Sequence, residues 1–171
     1  MRPRPPDLAG AGLEGARPAC ASDLEGCARI LAQAAAGAVQ RRGGRPHVGT
    51  TAGLWGVRDP LAPSSWHAGL ARALEQDRCR LFVGTFSGCP VGVGGGRVDG
   101  PTGIVDFCYV EPAGRKVGVG TALLDALTGW FGDQGCTALD APALPGDRES
   151  KQLYEAAGLS ARLLVLRRSL P

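Results

Sequence analysis

The chain of 171 residues predicts a single α/β domain. Three observations carry that reading. Apolar residues recur at helical spacing in four stretches and at a spacing near two in others. Three strand-like runs, 81–86, 91–98 and 103–110, are joined by turn residues at Ser87-Gly88 and Asp99-Gly100-Pro101, which makes them antiparallel neighbours. The length is enough for one ordinary core and too short for two.

Residues 1–12 are Pro-rich and patternless, which predicts a tail, with the domain spanning 13–171. A first strand is expected over 13–19. Ser22 with Glu25 three residues on reads as a capping box. Behind it Leu24, Cys27, Ala28, Leu31, Ala35 and Ala38 keep helical spacing, and Arg41-Arg42-Gly43 supplies a basic last turn and a terminal glycine. The stretch 44–63 is rich in Gly, Pro and Thr and is expected to be irregular, with Trp55 its one large anchor. A second helix begins near Ser64 or Ser65 and sets Trp66, Leu70 and Leu74 on one face.

After the three strands, helical spacing returns at Gly118, with Leu123, Leu124, Leu127, Trp130 and Phe131 facing one way and Gly132 and Gly135 ending the helix. A short strand is predicted over 137–140, a turn at Pro145-Gly146, a helix over 147–157 stopped by Gly158, and a last strand over 161–168. The cluster Gly92 to Gly96 lies inside a strand pattern and marks a bulge or a close approach.

Composition excludes several classes. Hydrophobic residues make up 44% and charged residues 20%, which is globular, and the 5% aromatic content leaves Leu, Val and Ala to build the core. The net charge is +3, but basic and acidic residues are interspersed, so no nucleic-acid stripe is expected. The six cysteines form no C-x-x-C pair and only two histidines, His47 and His67, accompany them, so no metal site is expected. The longest apolar helical stretch, 30–39, carries Gln33 and falls well below the ~20 residues needed to span a bilayer. Residues 8–13 are too short for a signal core. These features predict a cytoplasmic protein with reduced thiols and no membrane partner.

The most informative segment runs from Val110 to Leu124. A strand ends, the chain turns at Pro112 and Gly114, and a helix opens on Gly118 and Gly120 behind Arg115 and Lys116. The first N–H groups of a helix have no internal acceptor and the dipole is positive there, so a phosphate or diphosphate site is the natural reading. The Walker pattern is absent, and the dinucleotide fingerprint fails because position 123 is Leu and the preceding strands form hairpins.

Arg115-x-x-Gly118-x-Gly120 resembles the pyrophosphate signature [R/Q]-x-x-G-x-[G/A] of the GNAT N-acetyltransferase superfamily. The run DRESKQLYEAAGL from Asp147 to Leu159 is similar to that family's block N-x-x-A-x-x-L-Y-E-x-x-G-F, with Asp147 in place of Asn, Ser150 in place of Ala and Leu159 in place of Phe. The opening Arg17-Pro-Ala and Ser22-Asp-Leu resemble its first strand and helix. The resemblance implies the GNAT acyl-CoA N-acyltransferase fold, a mixed and mostly antiparallel sheet flanked by helices, and direct acetyl transfer from acetyl-CoA to a primary amine. It implies a cofactor cradle of Val110, Arg115, Lys116, Val117, Gly118, Val119, Gly120, Thr121 and Asp147. The implied acceptor is a small-molecule or peptide amine chosen by residues 44–66, and a homodimer is an allowed assembly.

Tyr154 matches the family tyrosine near the thiol and is the general-acid candidate, against the reading of a buried aromatic on a helix face. Asp106 is the general-base candidate, expected on one strand face with Cys108 and Val110 and acting through water, against a hydrogen-bonded structural Asp. Glu111 is the second base candidate. Cys108 reads as an inert core thiol, His67 as a surface residue and Asp147 as an N-cap. Two other classes stay open: a non-catalytic acyl-CoA-binding regulatory module, and a scaffold with the same fold.

Overall fold

A computed structural model describes residues 14–166 and Arg168. In chain order it contains β1 (Glu14–Pro18), α1 (Leu24–Ala38), α2 (Gly44–Leu54), α3 (Pro63–Ala73), β2 (Cys79–Phe86), β3 (Cys89–Asp99), β4 (Thr102–Val110), α4 (Val119–Asp133), β5 (Ala138–Asp140) and α5 (Arg148–Ala156). The strands form one sheet in the order β1-β2-β3-β4-β5. All neighbours are antiparallel except β4 and β5, which run parallel. This is the mixed, mostly antiparallel sheet that the family resemblance implies, with the antiparallel hairpins that the turn residues predict. The expected 1–12 tail and the start of the first strand at Leu13 lie outside the described residues.

Two apolar layers hold the sheet. Leu24, Cys27, Leu31, Trp55, Trp66 and Leu70 from α1 to α3 pack on one face against Leu81, Val83 and Val93. On the other face Val119, Leu123, Leu124, Leu127 and Phe131 of α4 pack with Tyr154 of α5 against Phe82 and Val105. Leu123, Leu124, Leu127 and Phe131 are each at most 1% exposed, and burying such a side chain contributes about 2 kcal/mol. The glycine run of β3 lets both layers press close. A Cβ on Gly95 would sit 2.3 Å from the Phe107 ring, and one on Gly96 would sit 2.7 Å from Phe131.

Three expectations are corrected. The stretch 44–63 is not irregular throughout, because α2 occupies Gly44–Leu54. Pro46 falls in its first turn, where a missing N–H costs nothing, and Val48 and Ala52 bury one side of it. The N-terminal box of α1 is not Ser22 with Glu25; Asp23 Oδ2 instead accepts from Cys20 N–H at 2.9 Å, closing a 3-10 turn ahead of the helix. The last strand over 161–168 does not form among the described residues. A strand needs a partner ladder, and β5 at the sheet edge offers only three residues, so Leu163, Leu164, Val165 and Leu166 stay 72–85% exposed.

Candidate active site

The parallel pairing of β4 with β5 covers only Thr102–Ile104. Beyond Ile104, β4 continues for six residues with no strand on that edge among the described residues. Glu111 N–H turns towards β3 and donates to Val91 C=O at 2.9 Å, so by strand alternation the backbone groups of Val110 and Cys108 point the other way, into the gap. Arg115 Nε confirms that direction by donating to Val110 C=O at 3.0 Å.

The gap leads to the start of α4. Gly118 precedes the helix with φ +90, a left-handed conformation open to glycine at little cost. The first internal bond of α4 is Ala122 N–H to Gly118 C=O at 3.0 Å, which leaves the N–H groups of Val119, Gly120 and Thr121 without helical acceptors. Three free donors, the positive dipole end and a missing side chain at Gly120 fit a diphosphate. Lys116, also at positive φ, and Val117, 37% exposed, complete the turn. The Arg115 guanidinium is engaged elsewhere: Nη1 meets Glu149 at 2.8 Å and the group lies 5.4 Å from the Tyr109 ring.

Asp147 is the N-cap of α5, accepting from Ser150 N–H at 3.2 Å and from Ser150 Oγ at 2.9 Å. Its second oxygen also meets Arg41 at 3.3 Å, tying the end of α1 to the start of α5. About two helical turns further on, Tyr154 is 7% exposed in the α4 layer. Burial pushes its phenol well above the ordinary value, with Cys108 and Asp147 adding to the shift. The Cys108 thiol lies 3.8 Å from Gly120 C=O and is pushed up to about 12 by burial. Tyr154, Cys108, Gly120 and the gap edge of Val110 are therefore brought together.

Asp106 is not with them. Gly95 pairs with Phe107 and Gly96 with Val105, so Asp106 is the extra residue of a bulge, and the expected shared face with Cys108 and Val110 is overturned. The bulge turns Asp106 to the opposite face, where Trp55 Nε1 donates to Oδ2 at 2.9 Å and Arg97 Nε lies 3.4 Å from Oδ1. At 6% exposure its carboxyl is pushed up by burial, opposed by the Trp55 hydrogen bond and the Arg97 charge. Glu111, the other base candidate, is paired with Arg29 at 2.6 Å. His67 is exposed.

The sequence reading passed over His47. Together with Thr51 and Trp55 it recurs at i, i+4 and i+8 along α2, a spacing that marks one helix face. Burial holds its imidazole below the ordinary value, countered by the Asp106 carboxylate. No group of metal-ligating side chains occurs among the described residues.

The comparisons agree with this geometry. A family model described as acetyltransferase (GNAT) family matches residues 50–159. No curated protein matches the chain in sequence. Among solved structures, AAC(6')-Iy in complex with the bisubstrate analogue CoA-S-monomethyl-acetylneamine is 15% identical, with 92% of this chain and 99% of that one covered and a TM-score of 0.63. A transcriptional regulator from Bacillus halodurans C-125 is 16% identical over 92% and 99%, with a TM-score of 0.66. Glucosamine-6-phosphate N-acetyltransferase from Arabidopsis thaliana is 15% identical over 92% and 99%, with a TM-score of 0.62. At these identities the structures speak for the fold alone, while the family model spans well over half of the chain and includes both the glycine turn and the Tyr154 helix. The chain belongs to the acetyltransferase (GNAT) family.

Proposed function

We propose that this acyltransferase moves an acetyl group from acetyl-CoA directly to a primary amine of a small molecule or peptide, in a cytoplasmic setting that keeps its six thiols reduced. The observation that carries the reading is the gap along β4 after Ile104, which ends at the three free N–H groups of α4. Structures with this fold include an aminoglycoside N-acetyltransferase and a glucosamine-6-phosphate N-acetyltransferase.

Acetyl-CoA supplies the acetyl thioester. The N–H groups of Val119, Gly120 and Thr121 hold its diphosphate, with the turn from Arg115 to Gly118 around it, and Asp147 contributes by capping α5 beside that turn. The N–H of Val110 polarises the thioester carbonyl from the unpaired edge of β4. The acceptor nitrogen must first lose its ammonium proton; Asp106 lies on the α1–α3 face of β4, away from Cys108 and Tyr154, so it takes that proton through water from an amine held on that face. Burial makes Asp106 a stronger base than an ordinary carboxylate. The new C–N bond then forms as the C–S bond breaks; the leaving thiolate takes the Tyr154 proton, and the second proton, shed by the nitrogen as it becomes the amide, returns through water to the Tyr154 phenolate. The neighbouring Cys108, held neutral up to about 12, indicates how strongly this pocket disfavours a bare thiolate.

Calorimetric titration with acetyl-CoA tests the reading. Wild-type binding at micromolar strength, about −8 kcal/mol, is expected to be lost in Gly118→Glu and in Gly120→Glu. The second variant matters because the helical backbone at position 120 carries a side chain without the strain of position 118. No binding by the wild type would sink the proposal.

A further inference from the structure

Along the sequence the basic excess falls in one segment, of which Arg41 pairs with Asp147 outside it. Residues 39–74, the end of α1 through α3, hold five arginines against a single acid, Asp59, which exceeds the net charge of the whole chain. Within that segment a cavity of about 380 Å³ is lined by Gly56, Arg58, Ser65, Ala68 and Arg72. Neither Arg58 nor Arg72 forms an ion pair among the described residues. Arg72 Nη2 donates to Gly56 C=O at 2.6 Å, which holds its guanidinium in place while leaving its charge uncompensated. Gly56 permits that approach, since a Cβ there would sit 2.5 Å from Nη2.

Ser65 adds a directional donor. Its Oγ already accepts from Arg58 N–H and from Asp59 N–H, each at 3.0 Å. With both lone pairs used, the hydroxyl can only donate, and it has no acceptor among the described residues. Two guanidiniums around one cavity repel each other, and an oxyanion between them removes that repulsion while accepting from both forks and from Ser65.

We infer that the Arg58–Ser65–Arg72 cavity is a binding site for a phosphate group, separate from the cofactor cradle. The separation follows from the sheet. Arg72 and Cys79 line an adjoining cavity, Cys79 pairs with Arg97 and Arg97 with Ile104 at the start of β4. The cradle lies past Val110, six residues or roughly 20 Å further along β4 at ~3.3 Å per residue. The inference stands independently of acetyl transfer.

Inorganic phosphate is the probe, titrated at constant ionic strength against the wild type with tryptophan fluorescence as the readout, because Trp55 and Trp66 adjoin Gly56 and Ser65 in sequence. A saturable change is expected, weakened at least tenfold in Arg58→Gln and in Arg72→Gln. Arg58→Gln keeps the test valid if the Arg72 variant unfolds, and its melting temperature serves as the folding control. Acetate in place of phosphate distinguishes a carboxylate ligand, and its response should be weaker. A response retained in Arg58→Gln, an equal response to chloride, or a response competed away by acetyl-CoA would overturn the proposal, the last by placing phosphate in the cofactor cradle.

Discussion

Trp55 Nε1 donates to Asp106 Oδ2 at 2.9 Å across 51 residues of sequence, joining the end of α2 to the bulge of β4. The bond gives a buried carboxylate one of its partners, and Arg97 gives the other. Removing the indole donor leaves that carboxylate half-compensated, so Trp55→Phe is expected to cost about 1–3 kcal/mol, read from urea unfolding.

The charge of Asp106 also leaves a pH signature. Burial raises its folded-state value above that of the unfolded chain. In the window between the two values the folded protein binds the extra proton, so the Asp106 contribution falls as pH rises through it. Stability of Asp106→Asn relative to wild type should therefore improve with rising pH across that window. A pH-independent difference would show that the side chain does not titrate as described.

Asp23 gives the opposite sign. Its side chain is 8% exposed and both oxygens meet Arg17 at 2.7 Å, which holds its carboxyl well below the usual range, with the Cys20 hydrogen bonds assisting. The contribution is present above the unfolded value and disappears as pH falls through the folded one. Asp23→Asn should cost on the order of 1–2 kcal/mol at neutral pH. The difference from wild type should close in strong acid, as denaturation at several pH values would show.

Gly95 is the contact point between β3 and the aromatic layer over it. An added methyl meets the Phe107 ring at 2.3 Å and Trp55 at 3.1 Å. Gly95→Ala should lose about 1–3 kcal/mol through overpacking. It should also shift tryptophan emission, since the Trp55 and Phe107 rings lie tilted against each other with centroids 4.8 Å apart.

Tyr154→Phe keeps the ring that packs in the α4 layer and removes the proton donor. Turnover with a suitable amine should fall on the order of 10²-fold, with melting temperature and acetyl-CoA affinity near wild type. Equal turnover would assign Tyr154 to packing alone.

What the sequence determined by itself was local. The Leu-rich stripe of α4, the two hairpins, the glycine turn before Val119 and the Asp147 cap are set by near neighbours, so spacing and turn chemistry revealed them. Helix α2 escaped because Gly49, Gly53 and the threonines have weak helical propensity, and burial of Val48, Ala52 and Trp55 against distant elements outweighs it. The last strand failed for the converse reason: Leu163 to Leu166 have strand-like composition, but no ladder among the described residues receives them. The side of the sheet that Asp106 faces was decided by a one-residue bulge opposite Gly95 and Gly96. A register shift reverses which face a side chain takes, and it depends on packing between strands that spacing along one strand does not contain.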